Sequence, residues 1–263
     1  MPELAEVEYY RRVWDAGLRQ PVTRVHIHAG KRVTRGVDAL AVVNALTGAK
    51  LLGSEAHAKQ MLFRFSGNAW LGLHLGMTGK LSVAPPDFQP DRHDHLVLFQ
   101  KKQALVFRDP RMFGRVRFHE GKTPEWWTDL PPAIAAPEFT AALVRDFLNR
   151  RAKLTVKAAI LMQERFPGVG NWMADEILWQ ARISPKRLCG TLKPAEVTAV
   201  WKRTKSVCAE ALATVGVDFS DPPKGWLFHT RWSSKGKCPR CGASLKTAQV
   251  GGRTTRWCGK CQR

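Results

Sequence analysis

Cys238-Pro-Arg-Cys241, sixteen intervening residues, then Cys258-Gly-Lys-Cys261 is the stretch from which this chain is best read. Two Cys-x-x-Cys knuckles let four thiolates close a tetrahedron around one Zn²⁺, as in structural zinc ribbons. Four protein ligands fill the coordination shell, so the metal folds the segment and leaves no open position for catalysis. Two disulfides are one competing reading. They need an oxidising compartment, and the acidic start Met-Pro-Glu-Leu-Ala-Glu-Val-Glu lacks the basic and apolar regions of a secretory signal. A redox motif is the other, and it fits poorly with a duplicated pair in a strongly basic context. Cys189 and Cys208 stand alone, in segments that read as a helix end and a helix.

Between the knuckles, Gly251-Gly252-Arg253-Thr254-Thr255-Arg256-Trp257 reads as a hairpin presenting Arg253. From Pro222 to Arg263 there are ten basic residues and no Asp or Glu, half of the chain's net charge of +20. A solvated basic tail is the bland alternative, but a metal-stapled hairpin makes the same charge an ordered probe. With 42 Lys and Arg against 22 Asp and Glu in 263 residues, the expected partner is a polyanion rather than a neutral metabolite. At 44% hydrophobic and 24% charged the chain is neither disordered nor fibrous. No apolar run approaches the roughly 18 residues of a membrane span. A cytoplasmic or nucleoid-associated protein is expected.

Upstream, an amphipathic helix over residues 3–18 places Leu4, Val7, Tyr10, Val13, Trp14 and Leu18 on one face. Residues 21–119 pattern mostly as strands, with one helical stretch from Val37 to Leu46. The clearest hairpin runs from Lys59 through Ser66-Gly67-Asn68 into Trp70–Leu75, where Leu71, Leu73 and Leu75 alternate with period two. Residues 120–138 carry four prolines and no clear period, and read as a linker. Helices follow near 139–151, 154–166, 171–183 and 193–215. The expected architecture is α+β and multidomain: an N-terminal helix and β-sandwich (1–119), the linker, a helical nucleic-acid-binding domain (139–221), and a loop with a zinc-ribbon hairpin (222–263).

Three further segments carry chemistry. Phe166-Pro167-Gly168-Val169-Gly170-Asn171 opens a helix, and a glycine turn before a helix N-terminus exposes backbone N–H groups to a phosphate; alternatively Asn171 is only the N-cap of a tight turn. Arg108-Asp-Pro-Arg111-Met-Phe113-Gly-Arg115, with Gly76-Met77-Thr-Gly upstream, offers apolar side chains beside arginines, able to wedge into a base stack. The plain alternative is a β-turn at Asp109-Pro110 with a buried Phe113. Finally, removal of Met1 exposes Pro2, a secondary amine with a reference pKa of roughly 7.7 to 8.0 that the helix dipole lowers further. Such an amine attacks an electrophilic sugar carbon and leaves an iminium. Glu3 stands beside it for proton transfer.

Read together, these residues resemble the formamidopyrimidine-DNA glycosylase family of the Fpg/Nei type, over nearly the whole chain. The likeness rests on Pro2-Glu3-Leu4 with Glu6-Val7-Glu8, Ala58-Lys59, His74-Leu-Gly-Met77-Thr-Gly, His93-Asp-His95, Asp109-Pro-Arg111-Met-Phe113-Gly, Gly168-Val-Gly-Asn171 and Arg253 through Cys261. Leu4 favours the Fpg branch. Ala5 replaces the family's usual proline, and the loop Val217–Trp232 is shorter than the one that covers an everted purine in Fpg members.

The resemblance implies a helix-two-turns-helix domain and a bifunctional glycosylase and abasic-site lyase. It would excise 8-oxoguanine and formamidopyrimidines from damaged double-stranded DNA, act as a monomer and hold one structural zinc on Cys238, Cys241, Cys258 and Cys261. Pro2 would be the nucleophile at C1′ and Glu3 the acid at the sugar ring oxygen. Lys59 would donate a proton in β-elimination, and Arg253 would serve δ-elimination and phosphate contact. His74, His93, Asn171 and Arg151 or Lys153 would hold the backbone, and Met77, Arg111 and Phe113 would fill the vacated space. The alternatives are a non-catalytic zinc-ribbon protein that recognises DNA damage or structure, and a glycosylase with Nei-like preference for oxidised pyrimidines.

Overall fold

The structure, a computed structural model, describes residues 1–263. The chain divides into two compact units, Met1–Leu130 and Pro131–Arg263. The boundary falls inside the proline-containing stretch 120–138, and the helical and cysteine segments together make the second unit.

In the first unit, α1 (Leu4–Val13) leads into β1 (Arg24–Ile27), α2 (Ala39–Leu46), β2 (Leu51–His57), β3 (Gln60–Phe65), β4 (Ala69–His74), β5 (Lys80–Ala84), β6 (Asp94–Phe99), β7 (Ala104–Arg108), β8 (Arg115–Glu120) and the single turn α3 (Glu125–Thr128). The strands form two four-stranded sheets, β1-β6-β7-β5 and β2-β3-β4-β8, antiparallel throughout. Inward residues of both sheets, among them Phe63, Leu71, Leu73, Leu96, Leu98 and Phe107, share one core with Val7 and Trp14. That is the sandwich the alternation of Leu71, Leu73 and Leu75 implies. The β6 strand is buried on both faces because Phe88 packs over Val97, Phe99 and Val106 on the outer side.

Where the 3–18 helix was expected, α1 ends at Val13 and Trp14–Gly17 tightens into a 3₁₀ turn. The tighter turn seats Trp14 against Phe63, ring centroids 4.9 Å apart. The stretch 120–138 is also more ordered than its composition suggests. Trp126 lies over Gly72 of β4, where an added Cβ would come within 2.3 Å of the ring.

The second unit contains α4 (Ala141–Asn149), α5 (Val156–Ile160), α6 (Asn171–Gln180), α7 (Pro194–Ala213), α8 (Val215–Asp218) and the hairpin β9 (Lys246–Val250) and β10 (Arg253–Trp257). Thr140 and Thr155 cap α4 and α5 through their hydroxyls. α7 starts with Pro194 inside its first turn and Glu196 reaching back to the Lys193 N–H at 2.7 Å.

The helix expected over 154–166 is only five residues long. Its continuation is closed off by Gln163, whose amide donates to Leu161 O and Val169 O and accepts from Gly168 N, and by Pro167. The helix expected to reach 183 stops at Gln180, because Arg182 turns left-handed (φ +62°) and Ile183 N–H bonds back to Leu178 O. No helix is long and apolar enough to cross a membrane.

Candidate active site and nucleic-acid interface

Pro2 and Glu3 stand at the N-terminal end of α1. Glu3 is 2% exposed and is the N-cap, its main-chain N–H donating to Glu6 Oε2 at 3.1 Å. α1 packs on β2, β3 and β5. Arg19 N–H bonds Leu51 O at 2.7 Å while Arg11 bonds Ser54 Oγ at 2.6 Å, so the chain leading into Pro2 runs antiparallel to β2. From Arg11 back to Pro2 is about 13 Å at 1.5 Å per helical residue. From Ser54 on to Lys59 is about 16 Å at 3.3 Å per strand residue. The N-terminal end of α1 and the Lys59 turn therefore lie toward the same end of the first unit. Lys59 sits in a two-residue turn whose first residue, Ala58, has φ +58°. A two-residue hairpin loop calls for a positive φ, and a non-glycine residue held there costs of order 1 kcal/mol.

His74 ends β4, and its Nδ1 accepts the Gly76 N–H at 3.0 Å, so the ring proton sits on Nε2. Burial, and then the charges of Lys59 and Arg117, lower its pKa and keep the ring a neutral donor. Gly76 has φ +62°, and an added Cβ would meet the Phe113 carbonyl carbon at 2.4 Å. The Met77 and Phe113 turns thus touch backbone to backbone, leaving Met77 40% and Phe113 41% exposed. This overturns the reading of Phe113 as buried. The knot beneath is Asp109, fully buried, whose carboxylate accepts from Thr78 Oγ1, Gly114 N and Arg111 N at 2.7, 2.7 and 3.3 Å.

His95 Nε2 lies 2.9 Å from Asp109 O, and His93 O accepts the Asp109 N–H at 3.0 Å, which brings His93 to the same turn. The arginines divide. Arg108 pairs with Asp91 and Asp94 and is structural, whereas Arg111 is exposed with its guanidinium 5.1 Å from the Phe113 ring.

In the second unit Gly170, not Asn171, caps α6. Asn171 is the first helical residue, and its Nδ2 donates to Thr254 O on β10 at 2.9 Å while its Oδ1 is buried without a partner. Asn171 and Arg253 are thereby brought to one surface. Gly251 and Gly252, both with positive φ, form the hairpin tip, and Arg253 is exposed beside them. Arg151 pairs with Glu164 and lies 3.8 Å over the Phe147 ring, whereas Lys153 is exposed.

Behind this surface lies a buried network that sequence reasoning missed. Asp175 Oδ1 accepts from Lys157 Nζ at 2.5 Å, and its Oδ2 accepts from Arg231 (2.5 Å) and from Arg256 N–H (3.2 Å). Lys157 also donates to Asn171 O at 2.7 Å. One carboxylate therefore ties α5, α6, the loop before the first knuckle and β10 together. Nothing in the run Trp172–Trp179 marks Asp175 as different from a solvated acid. Removing one partner of a buried pair leaves an uncompensated charge, so Asp175→Ala should cost about 3 to 5 kcal/mol of unfolding free energy. Denaturant midpoints check this; a loss under about 1 kcal/mol would mean that the two cations find another partner.

The neighbouring Glu176 is fully buried, and burial pushes its carboxyl from 4.5 up to about 7, against hydrogen bonds from Gln180 and Phe228 N–H. A raised acid keeps its proton in the folded state while the unfolded chain has already released it. Stability should therefore fall by roughly 3 kcal/mol as pH rises from about 4.5 to about 7, and stay level above. Unfolding measured across that window should lose this slope in Glu176→Gln.

The four knuckle sulfurs lie within 4.8 Å of one another, with Cys241–Cys258 at 3.5 Å and Cys238–Cys261 at 4.0 Å. A tetrahedron with Zn–S bonds of about 2.3 Å has edges of about 3.8 Å, whereas a disulfide would need about 2.0 Å. The donor set fits one structural zinc. Trp179 Nε1 donates to Cys238 Sγ at 3.3 Å, and Trp179, Leu227 and Leu245 pack around the knuckles. Cys189 and Cys208 are buried elsewhere, and burial raises the Cys189 thiol to about 11.

Exposed arginine and aromatic turns, a basic hairpin and four thiols placed for one zinc define a nucleic-acid-binding protein with a metal-stapled finger. Residues 1–116 match the formamidopyrimidine-DNA glycosylase N-terminal domain, 130–221 its H2TH domain, and 235–263 the zinc finger found in FPG and IleRS. The chain belongs to the formamidopyrimidine-DNA glycosylase family. Formamidopyrimidine-DNA glycosylases of Roseiflexus sp. (strain RS-1) and Xanthomonas euvesicatoria pv. vesicatoria are each 33% identical, over the full length of both chains. Among solved structures, Lactococcus lactis Fpg non-covalently bound to DNA containing an AP site is similar at a TM-score of 0.86, 25% identity and 99% of both chains. MutM in complex with carbocyclic 8-oxo-G containing DNA is similar at 0.88, 26% identity and 100% of both.

Proposed function

We propose that the chain is a DNA glycosylase that removes oxidised purines in base excision repair and then cleaves the abasic strand, working as a monomer inside the cell. What supports this reading is the antiparallel run of α1 along β2, which carries Pro2 and the buried Glu3 toward the end of the unit that holds the Lys59 turn.

With Met1 removed, the Pro2 nitrogen stands at the positive end of α1, where a cation is disfavoured, and a fraction is free base at neutral pH. It attacks C1′ of an extruded nucleotide; the N–C1′ bond forms, the bond to the base breaks, and the base leaves with a proton. The Glu3 carboxyl protonates the ring oxygen, which opens the sugar to an iminium. The iminium draws electrons from the C2′–H bond: the C2′ proton passes to water, the C3′–O bond breaks, and the departing phosphate takes a proton from Lys59. Arg253 meets the phosphate whose departure completes δ-elimination. His74, His93, Asn171 and Arg151 or Lys153 hold the backbone, and Met77, Arg111 and Phe113 occupy the space the nucleotide vacates, offsetting the few kcal/mol that eversion costs.

Borohydride reduction during turnover tests the reading. Processed protein with an 8-oxoguanine duplex, and with an abasic duplex, should yield a covalent adduct that maps to Pro2, with 8-oxoguanine released faster than an oxidised pyrimidine. Duplex binding without any adduct would favour a recognition protein that does not cut. A separate expectation concerns Phe113→Ala. If the ring stacks in the gap, affinity for a lesion duplex should fall about tenfold, within the roughly 1 to 3 kcal/mol of one base–aromatic contact, with undamaged duplex hardly affected. Equal losses on both duplexes would argue against stacking.

A further inference from the structure

A cavity of about 370 Å³ opens in the first unit beside Phe113, lined by Arg32, Arg35, His74, Arg115 and Arg117. It contains no acidic lining residue, and none of the four arginines takes part in the unit's ion pairs, which engage Arg11, Arg12 and Arg108. Arg115 and Arg117 are alternate residues of β8, so they project from the same face, opposite His74 and Gly72 of β4. Burial, and then the charge of Arg115, lower the Arg117 pKa.

The facing wall is built as firmly. Arg32 opens a 3₁₀ turn, Arg32–Thr34, in which Val33 and Thr34 are buried and Thr34 Oγ1 donates to His28 O at 2.6 Å. This turn packs on β8 and sets the Arg32 guanidinium 5.0 Å from the Phe113 ring, which also carries Arg111 at 5.1 Å. A rigid frame thus gathers cations without a counter-charge around an aromatic wall.

We propose that this cavity is a further phosphate subsite, in which Arg115 and Arg117, faced by Arg32 and Arg35, hold a phosphate group beside Phe113. Guanidinium forks suit a tetrahedral oxyanion. An anion there would also relieve the repulsion between Arg115 and Arg117. The proposal rests on the DNA reading above only for the source of the phosphate, which that reading makes a backbone phosphodiester.

The test uses the full-length, zinc-loaded chain and a duplex with a tetrahydrofuran abasic analogue, which binds without chemistry. Dissociation constants are measured against salt for the unaltered protein, R115Q/R117Q and R115K/R117K. Loss of a phosphate contact should lower the slope of log K against log salt by about 0.9 in the glutamine variant, and the lysine variant should keep it. A second arm, without DNA, compares the rise in Tm given by inorganic phosphate with that given by chloride at equal ionic strength.

An altered salt slope assigns the subsite to a backbone phosphate. An unaltered slope with the phosphate-specific Tm rise lost in R115Q/R117Q assigns it to a free or terminal phosphate. Neither change would overturn the proposal. Failure of the unaltered protein to bind the duplex would count against the DNA reading instead, and the Tm arm would still decide the subsite.

Discussion

Protein that keeps Met1, or whose Pro2 nitrogen is acetylated after processing, should give no borohydride-trapped adduct while still binding duplex DNA. The physical reason is local to one atom. In either form the nitrogen becomes an amide whose lone pair is delocalised into the carbonyl, so it can neither titrate near neutral pH nor attack C1′. The contacts expected to grip the duplex lie on other residues, His74, Arg111 and Phe113 in one unit and Asn171 and Arg253 in the other, and blocking the terminus leaves them intact. Pro2→Gly should restore partial trapping, because a primary amine also forms a Schiff base. Intact mass and peptide mapping of the reduced product read the result. Trapping at the normal level in protein shown to retain Met1 would mean that another amine is the nucleophile.

Removing the zinc should have an equally large effect of a different kind. Structural zinc contributes roughly 10 to 16 kcal/mol in isolated fingers at neutral pH, far more than the few hydrophobic contacts around the knuckles can replace. Without it β9 and β10 lose their anchor. Asn171 then loses Thr254 O, Asp175 loses the Arg256 N–H, and Arg253 loses its place beside Asn171. Chelation should therefore abolish tight duplex binding and expose four reactive thiols, both restored by adding zinc back. Hydrogen exchange over residues 1–130 should barely change, since the core around Trp14, Phe63 and Phe107 contains no cysteine and no residue of the second unit. Collapse of protection throughout the chain would show that the metal does more than fold its own segment.

Much of the molecule was legible from sequence because its signals are local. The Cys-x-x-Cys pairs need only a backbone turn to point two thiolates inward. Alternation in Trp70–Leu75 declares a half-buried strand, and the change of period after the prolines declares helices. Helix ends were less legible, since they hang on single contacts: Gln163 closing α5 and the left-handed Arg182 ending α6. Asn171 is instructive in the same way. A glycine turn before a helix singles it out, but whether it caps that helix or reaches β10 depends on a strand more than eighty residues away.

The sequence by itself determined the zinc ligand set, the strand-then-helix order and the polyanion partner, because each follows from residue type, spacing or net charge along one stretch of chain. Only the tertiary structure decided which charges are buried and which face outward. Arg108 and Arg231 are spent on carboxylates, Asp175 holds four elements together, and Arg32, Arg35, Arg115 and Arg117 are left facing a cavity. The reason is that a charge's role is set by what lies within a few ångströms of it, where burial strengthens an attraction or a repulsion several-fold, and those neighbours come from segments that sequence separation keeps apart.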